Sequence, residues 1–550
     1  MSIQTTQVAE SGPEHLKLLE RLRRTQLPAQ RTFLLVLIGL AAEIAIMYGR
    51  SINNGFIGDD WPLLDYANHG LGVAVAWHAE AAGSYHYNPI TQLFVLVLFQ
   101  IFGLRPLIYH LVAFLFFWLD AALVVAVGRR ITGSLRIGAL AAALFIAFGN
   151  QYEAIIWGLV SFWQTMSLAV FLGGLLLYIR AHDSQLDQNR RRRSYIGFLI
   201  ALVVAPFIYE PTVTLIMVCA LYRLLVIEAK SGFSAQALLI RAKAWVRDFI
   251  LPAILFDGYL SLKSWMGRHT AVPMTPGLAR SLHDLALVMT TGIFRAFVPG
   301  LSSPAASRLG AGWGVFRDLR VTAAILLVLL VSFVLVRPIY RFLLVWTVVL
   351  IVSITLGLGA LASRHLNLVL VPTAILWASF LFYLAAKVRS WLERSALPRG
   401  WPSRLALTPS LALAIVFGVV GFRYAAMQQV AWAAAGKVVQ DAVTQVGVYS
   451  QANPTATTLY VVDVPDSFSS STSDTVYVFR NVPQVFVNLA YPGRFKNVIA
   501  VRTYEYGFAK DYSVLATDGQ IAQWSRQPDT LVLWYDNSTH QLRQWGPQLG

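Results

Sequence analysis

The chain of 550 residues contains little charge for its length and a single cysteine. Only 13% of its residues are Asp, Glu, Lys or Arg and 56% are hydrophobic, whereas soluble domains carry about a quarter charged residues. This composition excludes an ordinary soluble protein and predicts a membrane protein. Cys219 lies in an apolar run, which excludes an intrachain disulfide and a thiolate metal cluster, and it is interpreted as a small core residue.

Repeats and low-complexity segments are absent from the sequence, and residues 1–31 are polar and basic. That stretch is too long before the first apolar run for an ordinary signal peptide, so we expect a cytoplasmic tail. A bilayer requires ~20 apolar residues per helix. We therefore expect a polytopic α-helical membrane protein with about 11 transmembrane helices. They are predicted near residues 32–49, 107–127, 136–149, 161–179, 195–209, 211–227, 248–264, 320–336, 341–358, 366–386 and 405–421.

Lys and Arg collect between these helices, and their distribution predicts the orientation, because cytoplasmic loops carry an excess of both. If segment 88–103 is an interfacial helix that does not cross, every inside loop is basic: GRRITGSLR, RAHDSQLDQNRRRRS, EAKSGFSAQALLIRAKAWVR, RPIYR and KVRSWLERSALPRGWPSR. Loops 50–106 and 265–319 and everything after residue 422 then lie outside. Most of the net charge of +16 is thus an orientation signal, and no nucleic-acid partner is expected.

The last part of the chain changes character. A helix is predicted at about 425–449, followed by strand-like runs TLYVVDV, DTVYVFR, NVIAVRTY and DTLVLWY that are separated by Pro, Asp, Ser and Gly. We therefore predict three units: a tail (1–31), a transmembrane domain (32–422) and an extracytoplasmic α/β domain (423–550) long enough for a core of its own.

An acidic pair follows the first predicted span, in the stretch NNGFIGDDWPLLDYANHG (residues 53–70). Asp59 and Asp60 are adjacent, and like charges this close push one pKa upward. A carboxylate of raised pKa is a better general base. The alternative is a solvated turn in which an Asp caps the next helix.

Other polar residues are predicted on the same membrane face. They lie in the segments SYHYNPITQLF, GNQYEAIIWG, FIYEPTV and LGALASRHLNLVLVP, which supply His86, Glu153, Glu210, Arg364 and His365. Individually each has a structural alternative, such as a helix cap or an interfacial anchor. Their convergence on one rim favours a functional site.

A metal site is a further alternative for this face. It would combine His69, His78 and His86 with the acidic pair, but their spacing fits no ligand signature.

Six segments, in their order and spacing, resemble motifs of the GT-C glycosyltransferases, most of all bacterial relatives of the transmembrane O-mannosyltransferases. The resemblance covers about residues 30 to 390. Its motifs read Asp59-Asp60, Tyr87-Asn88-Pro89-Ile90, Tyr109-His110-Leu111, Glu153-Ala154-Ile155-Ile156-Trp157, Tyr209-Glu210 and Ser363-Arg364-His365-Leu366.

Three positions depart from the family pattern. Asn88 replaces a basic residue, Tyr209 replaces a lysine, and residues 160–163 replace a Gly-Arg-x-Asp motif. The sugar and the acceptor are therefore not carried over from the family.

The resemblance implies an enzyme that moves a sugar from a polyprenyl-phosphate donor to an acceptor hydroxyl of a glycan, lipid or protein outside the cytoplasm, with inversion at the sugar. Asp59 or Asp60 would be the general base, with Asp59 favoured. Positive groups would bind the donor phosphate; the candidates are Arg364, His365, His86, Arg105 and the loop arginines Arg268, Arg280 and Arg295. The acceptor or substrate would contact Glu153, Tyr87, Asn88, Trp157 and Glu210.

No cofactor is assigned, and the resemblance leaves a divalent metal open because GT-C branches differ in its use. One alternative function is a transporter or flippase of lipid-linked sugars, which should place polar residues near the bilayer midplane. Another is a catalytically inactive scaffold that presents the C-terminal domain.

Overall fold

The computed structural model describes residues 14–70, 88–228, 235–268, 282–300, 320, 324, 328, 337–358, 361–394, 407–468, 476–479, 483–504 and 513–546. Up to residue 452 these residues are helices and short turns. The helices are α1 (Glu14–Tyr48), α2 (Asp60–Asn68), α3 (Pro89–Phe102), α4 (Pro106–Thr132), α5 (Leu135–Ala147), α6 (Glu153–Ile156), α7 (Val160–Ala181), α8 (Gln188–Val204), α9 (Leu215–Tyr222), α10 (Ala235–Arg268), α11 (Leu282–Phe297), α12 (Pro338–Leu358), α13 (Leu366–Leu392) and α14 (Thr408–Ala452). Short 3-10 turns lie at Gly49–Asn53, Ala205–Phe207, Glu210–Thr214 and Ser363–His365, and a π turn lies at Arg223–Ile227.

Seven helical segments among the described residues are long and apolar enough to cross a bilayer: Gln30–Asn53, Pro106–Thr132, Val160–Ala181, Glu210–Ile227, Pro338–Leu356, Ser363–Leu392 and Thr408–Ala452. The chain is an integral, multi-pass membrane protein. Each of the seven overlaps a predicted span. The predicted spans 136–149 and 195–209 correspond to α5, with 13 residues, and α8, with 17. Span 248–264 lies inside α10, and span 320–336 lies outside the described residues except for positions 320, 324 and 328.

Helix α4 shows how the sequence separates lipid from protein contacts. Its leucines at positions 107, 111, 115 and 119 recur every four residues and are exposed, so they form an apolar stripe toward the lipid. The residues at positions 109, 113, 117 and 121 are fully buried against other helices. The helix begins at Pro106 and ends at Thr132, and it is followed by Gly133, whose left-handed conformation (φ +76°) terminates it.

Helix α3 covers the segment that we predict to be interfacial. It has 14 residues, fewer than the ~20 that a crossing helix needs. Gln92 on this helix donates to the carbonyl of Leu63 in α2 (2.9 Å), so α2 and α3 pack together between the first two spans.

Helix α14 is longer than the sequence predicts. The predicted span 405–421 and the predicted helix 425–449 form one continuous helix of 45 residues. The residues that join them are Phe422, Arg423 and Tyr424, and the helix contains no proline after Pro409, so nothing there favours a break. The predicted domain boundary at 422 therefore lies inside a helix.

The described residues of the C-terminal unit (453–468, 476–479, 483–504 and 513–546) form seven strands and two helices: β1 (Thr458–Val462), β2 (Ser467–Phe468), β3 (Val476–Tyr477), α15 (Pro483–Ala490), β4 (Asn497–Arg502), β5 (Val514–Leu515), α16 (Asp518–Trp524), β6 (Thr530–Asp536) and β7 (Gln541–Gln544). Five strands form a sheet in the order β5-β4-β1-β6-β7, parallel except for β7, while β2 and β3 form a separate antiparallel pair. The predicted C-terminal α/β region is confirmed.

The two faces of this sheet belong to different cores. Leu459, Val461 and Leu533 pack into a core that is continuous with the buried residues of the membrane helices. Val462, Val501 and Val532 form a small separate core with Ile521 on α16. One face of the C-terminal unit is therefore packed against the membrane domain.

Candidate active site

Four turns meet at one end of the helix bundle. They are residues 54–59 before α2, residues 148–159 around α6, residues 205–214 before α9, and residues 361–365 before α13. Side-chain contacts between them, described below, bring together most of the predicted site residues that the structure describes.

The carboxylate of Asp60 connects the first of these turns to the second through hydrogen bonds. Its carboxylate is fully buried and accepts hydrogen bonds from the amides of Ile57 (3.1 Å) and Leu159 (2.8 Å). A side chain at Gly158 would place its Cβ 2.8 Å from an Asp60 oxygen, so the close approach requires glycine. Burial raises the pKa of Asp60 to about 7, although the amide bonds oppose this shift. Asp60 therefore positions the loop.

Asp59 has a different environment. It stands at the N-cap of α2, yet its side chain makes no capping hydrogen bond. Its carboxylate is half-buried and has no hydrogen bond to any described residue. The helix-cap interpretation of the pair is thus not what the structure shows: Asp60 binds other amides, and Asp59 is available to a ligand.

Glu153 and Arg364 form an ion pair across 211 residues of sequence. The guanidinium Nη1 lies 3.1 Å from Glu153 Oε2, and the backbone amide of Arg364 donates to the same oxygen at 3.3 Å. The guanidinium carbon is 5.5 Å from the centroid of the Trp157 ring. Trp157 in turn donates to the carbonyl of Ile57 (3.4 Å), two residues before Asp59. The pair and the acidic loop therefore share Trp157.

His365 lies beside this pair. Its Nδ1 accepts a bond from the amide of Ala362 (3.1 Å), so a neutral ring carries its proton on Nε2. The ring stacks on Tyr209, with centroids 6.4 Å apart. Tyr209 precedes Glu210, which is buried. We refer to Glu153, Trp157, Tyr209, Glu210, Arg364 and His365 as the rim cluster.

Arg295 supports the rim cluster from behind. It is 1% exposed, and its guanidinium donates to the carbonyl of Leu361 (2.6 Å) and to Ser363 Oγ (2.7 Å). The Asn150 amide donates to the carbonyl of Arg295 (2.6 Å). Arg295 was a candidate for the donor phosphate, but it holds the turn that carries Arg364 and His365. No sequence motif indicates this role, because its partners lie 66 to 68 residues away.

The remaining candidates lie in different places. Asn88 is fully buried before α3, and Thr91 nearby donates to the carbonyl of Ile208 (3.2 Å), so this end of α3 contacts the third turn. Arg105 is exposed at the other end of α3, after its 14 residues. His86, Tyr87 and His78 lie outside the described residues, as does most of loop 265–319. Arg268 ends α10, and its side chain is not described.

No group of three or more His, Cys, Asp or Glu side chains suited to a metal ion occurs among the described residues. His69, one of the alternative metal ligands, contacts the backbone carbonyl of Asp65 through Nδ1 at 2.8 Å.

An apolar cleft lies beside the rim cluster. The segment from Leu202 to Val213 forms one wall, and residues 254–262 of α10 form the other. Ile254 in this wall is 60% exposed, on a helix that has further exposed apolar residues. Tyr209 and Glu210 do not line the cleft, but Tyr259, which does, lies close enough to Glu210 to interact with its charge.

A second buried ionic network lies at the opposite end of the bundle. Arg223 bonds to Asp248 and to Glu228 (2.7 Å), and His182 Nε2 lies 2.6 Å from Asp248. Trp245 donates to Glu228 (3.1 Å). We refer to these five residues, His182, Arg223, Glu228, Trp245 and Asp248, as the opposite-end network.

No family model matches the chain, and no curated protein sequence matches it significantly. Solved structures are similar to it in fold. ArnT from Cupriavidus metallidurans bound to undecaprenyl phosphate has a TM-score of 0.50 at 13% identity, covering 92% of this chain and 94% of ArnT. The apo state of ArnT gives 0.48 at 13% identity, with 93% and 94% covered.

The archaeal oligosaccharyltransferase AglB from Archaeoglobus fulgidus, in complex with an inhibitory peptide and a dolichol-phosphate, gives 0.45 at 13% identity, covering 73% of this chain and 56% of AglB. The likeness to ArnT extends over nearly the whole of both chains. The chain therefore shares the fold of ArnT, and the GT-C-like fold that its motif order predicts is confirmed.

Proposed function

We propose that this protein is a glycosyltransferase that moves a sugar from a polyprenyl-phosphate donor to an acceptor hydroxyl, with Asp59 as the general base. The observation that carries the proposal is the Asp59 carboxylate. It is half-buried, accepts no hydrogen bond from a described residue, and lies on a loop that Asp60 and Trp157 connect to the Glu153–Arg364 pair. A base and a cation at one end of the bundle are what the transfer requires.

The proposed reaction is a single displacement. Asp59 accepts the proton of the acceptor hydroxyl while the acceptor oxygen bonds to the anomeric carbon. The bond from that carbon to the phosphate oxygen breaks, the polyprenyl phosphate leaves, and the anomeric centre inverts. Arg364 and the Nε2 proton of His365 stabilise the charge that develops on the phosphate. Burial raises the pKa of Asp60 to about 7, so this buried carboxyl is only partly ionised at neutral pH.

The apolar cleft supports a lipid-linked donor. Its lining residue Tyr259 lies near Glu210, and its α10 wall has exposed apolar side chains, as expected where an isoprenoid chain passes from the bilayer to the site. ArnT, whose fold this chain shares, was solved with undecaprenyl phosphate. The finer roles of Glu153, Trp157, Asn88 and Glu210 toward the acceptor remain part of this proposal.

Asp59→Asn is the decisive variant, because Asn preserves size but cannot accept the proton. Loss of a general base costs about 10²- to 10⁴-fold in rate. The measurement is release of undecaprenyl phosphate from a panel of undecaprenyl-phosphate-linked monosaccharides by protein purified in detergent, with cell-envelope glycans, lipids and peptides as acceptors. Asp65→Asn on the same helix is the matched control and should keep full activity. Full activity of Asp59→Asn would reject Asp59 as the base.

The proposed orientation places the acidic loop and the rim cluster outside the cytoplasm. The exposed arginines 190–193 lie at the start of α8, at the end of the bundle opposite to the rim cluster, as the positive-inside rule requires. Cysteine at the exposed Asn53 should react with an impermeant thiol reagent in intact cells, whereas cysteine at Arg192 should react only after lysis. The reverse pattern would overturn the orientation. Ser51, two residues earlier in the turn, is fully buried and unsuitable.

A further inference from the structure

The C-terminal unit contacts the loop that carries Asp59. The amide of Gly58 donates to the carbonyl of Val478, which follows β3, at 2.9 Å. The ring of Trp61 packs on Phe486 of α15, with centroids 6.1 Å apart. These contacts flank Asp59 on both sides in sequence, so the C-terminal unit reaches the backbone next to the proposed base.

The hydrogen bond depends on an unusual backbone conformation. Gly58 has a φ of +49°, a left-handed conformation that favours glycine. In this conformation its amide meets Val478, whose own amide donates to the carbonyl of Asp466 at 3.0 Å. Gly58 is thus joined through Val478 to the segment that follows β1 of the central sheet.

The membrane domain holds the same loop from the other side. Asp60 accepts the amide of Leu159 at the start of α7, and Trp157 donates to the carbonyl of Ile57. The loop is therefore clamped between two parts of the chain, and Asp59 is the carboxylate in it that neither part uses.

Buried apolar side chains stabilise the contact between the C-terminal unit and the acidic loop. Val476, Val478, Phe479 and Phe486 are buried in the core that continues into the membrane helices. The C-terminal unit cannot move away from the loop without exposing these side chains to water. The core on its other face, around Ile521, does not take part in this contact.

We infer that the C-terminal unit is a positioning element of the active site, which fixes Asp59 through Val478 and Phe486. The inference rests on the proposed function for Asp59. A carboxylate must lie within hydrogen-bond reach of the hydroxyl that it deprotonates, and small displacements cost large factors in rate. The unit that lies outside the family resemblance therefore shapes the proposed catalytic loop directly.

The test compares two cavity-forming variants of the full-length protein, one on each face of the sheet. Phe486→Ala removes the contact with Trp61, and Ile521→Ala opens the core on the far face. The first readout is hydrogen–deuterium exchange of the peptide that covers residues 53–61, which requires no substrate. We expect about tenfold faster exchange in Phe486→Ala and unchanged exchange in Ile521→Ala.

The second readout is transfer from the undecaprenyl-phosphate-linked monosaccharides. We expect Phe486→Ala to lower kcat roughly 10- to 100-fold with little change in the KM for the donor, because alignment and not binding is lost. Adding Phe486→Ala to Asp59→Asn should cost almost nothing further, since both act through one carboxylate. Phe486→Leu serves the same comparison if the alanine variant is not recovered folded.

The outcomes separate the two proposals. Unchanged exchange of the loop in Phe486→Ala, or equal acceleration by Ile521→Ala, overturns the positioning role whatever the activity. A fully active Asp59→Asn overturns the proposed base, and the exchange experiment still decides whether the C-terminal unit holds the loop.

Discussion

Charged side chains are buried at both ends of the helix bundle, but the two groups are built differently. In the opposite-end network, the side chain of Arg223 is 6% exposed and bonds to two carboxylates. In the rim cluster, the side chain of Arg364 is 23% exposed and pairs with Glu153, while Asp59 nearby has no hydrogen bond to a described residue. Burial and full pairing indicate a structural role, whereas partial exposure beside an unused carboxylate indicates a place for a ligand.

The largest effect on stability is expected at the opposite-end network. Asp248→Asn removes the carboxylate that Arg223, His182 and Arg247 share, and breaking a buried ion pair costs about 3–5 kcal/mol. The melting temperature in detergent should fall strongly, while the transfer rate per folded molecule stays the same.

The matched control for Asp248→Asn is Asp183→Asn. It breaks the more exposed pair with Arg130 at the same end and should leave the melting temperature nearly unchanged. If folded Asp248→Asn lost transfer activity, the opposite-end network would not be purely structural, and the contrast with the rim cluster would be wrong.

For Arg364 we expect a large effect on transfer and a smaller effect on stability. Arg364→Gln should lower transfer about 10- to 100-fold, because a charge that stabilises the leaving phosphate is lost. Folding should suffer only moderately, since the pair is partly solvated.

The double variant Glu153→Gln/Arg364→Gln separates the two roles of Arg364. It removes both charges, so no unpaired carboxylate remains. It should recover the melting temperature without recovering transfer. Recovery of transfer would show that Arg364 acts only through the fold.

A further effect on stability is a pH dependence that belongs to Asp60. Its pKa is about 7 in the folded protein, above its ordinary value of 3.8. Protonation of Asp60 therefore contributes to the free energy of unfolding. This contribution is fully present below pH 3.8 and is lost as the pH rises toward 7, by about 1.4 kcal/mol for each pH unit well below 7. The melting temperature of the wild type minus that of Asp60→Asn should therefore fall from pH 5 to pH 7. Parallel curves would mean that the amides of Ile57 and Leu159 keep the carboxyl ionised.

The fold could be predicted from the sequence where the signal is local. Apolar runs of sufficient length gave most of the spans, and the alternation of apolar residues gave β1, β3, β4 and β6. The continuity of α14 was not predicted, because a change from lipid-facing to water-facing composition near residue 422 resembles a boundary although nothing interrupts the helix. The core shared by the membrane helices and the C-terminal sheet could not be predicted either, since it depends on contacts between distant segments.

The site could be predicted only as a set of separate residues. Glu153, Arg364 and His365 each have a motif, but their pairing joins positions 211 residues apart. The difference between Asp59 and Asp60 is invisible in the sequence, because it arises from the amide of Leu159 and the space beside Gly158. Arg295 shows the opposite case, in which a charged residue near the rim has a structural task.

The length of α14 has a geometric consequence. With 45 residues it extends about 67 Å, and its buried face passes from Phe417 among the membrane helices to Val446 beneath the sheet. The helix thus sets both the height and the azimuth of the C-terminal unit above the bilayer. One residue inserted between these positions would turn the sheet by about 100° and raise it by about 1.5 Å. Val478 and Phe486 would then face away from the acidic loop, so changes in the length of α14 are compatible with this architecture only near whole helical turns.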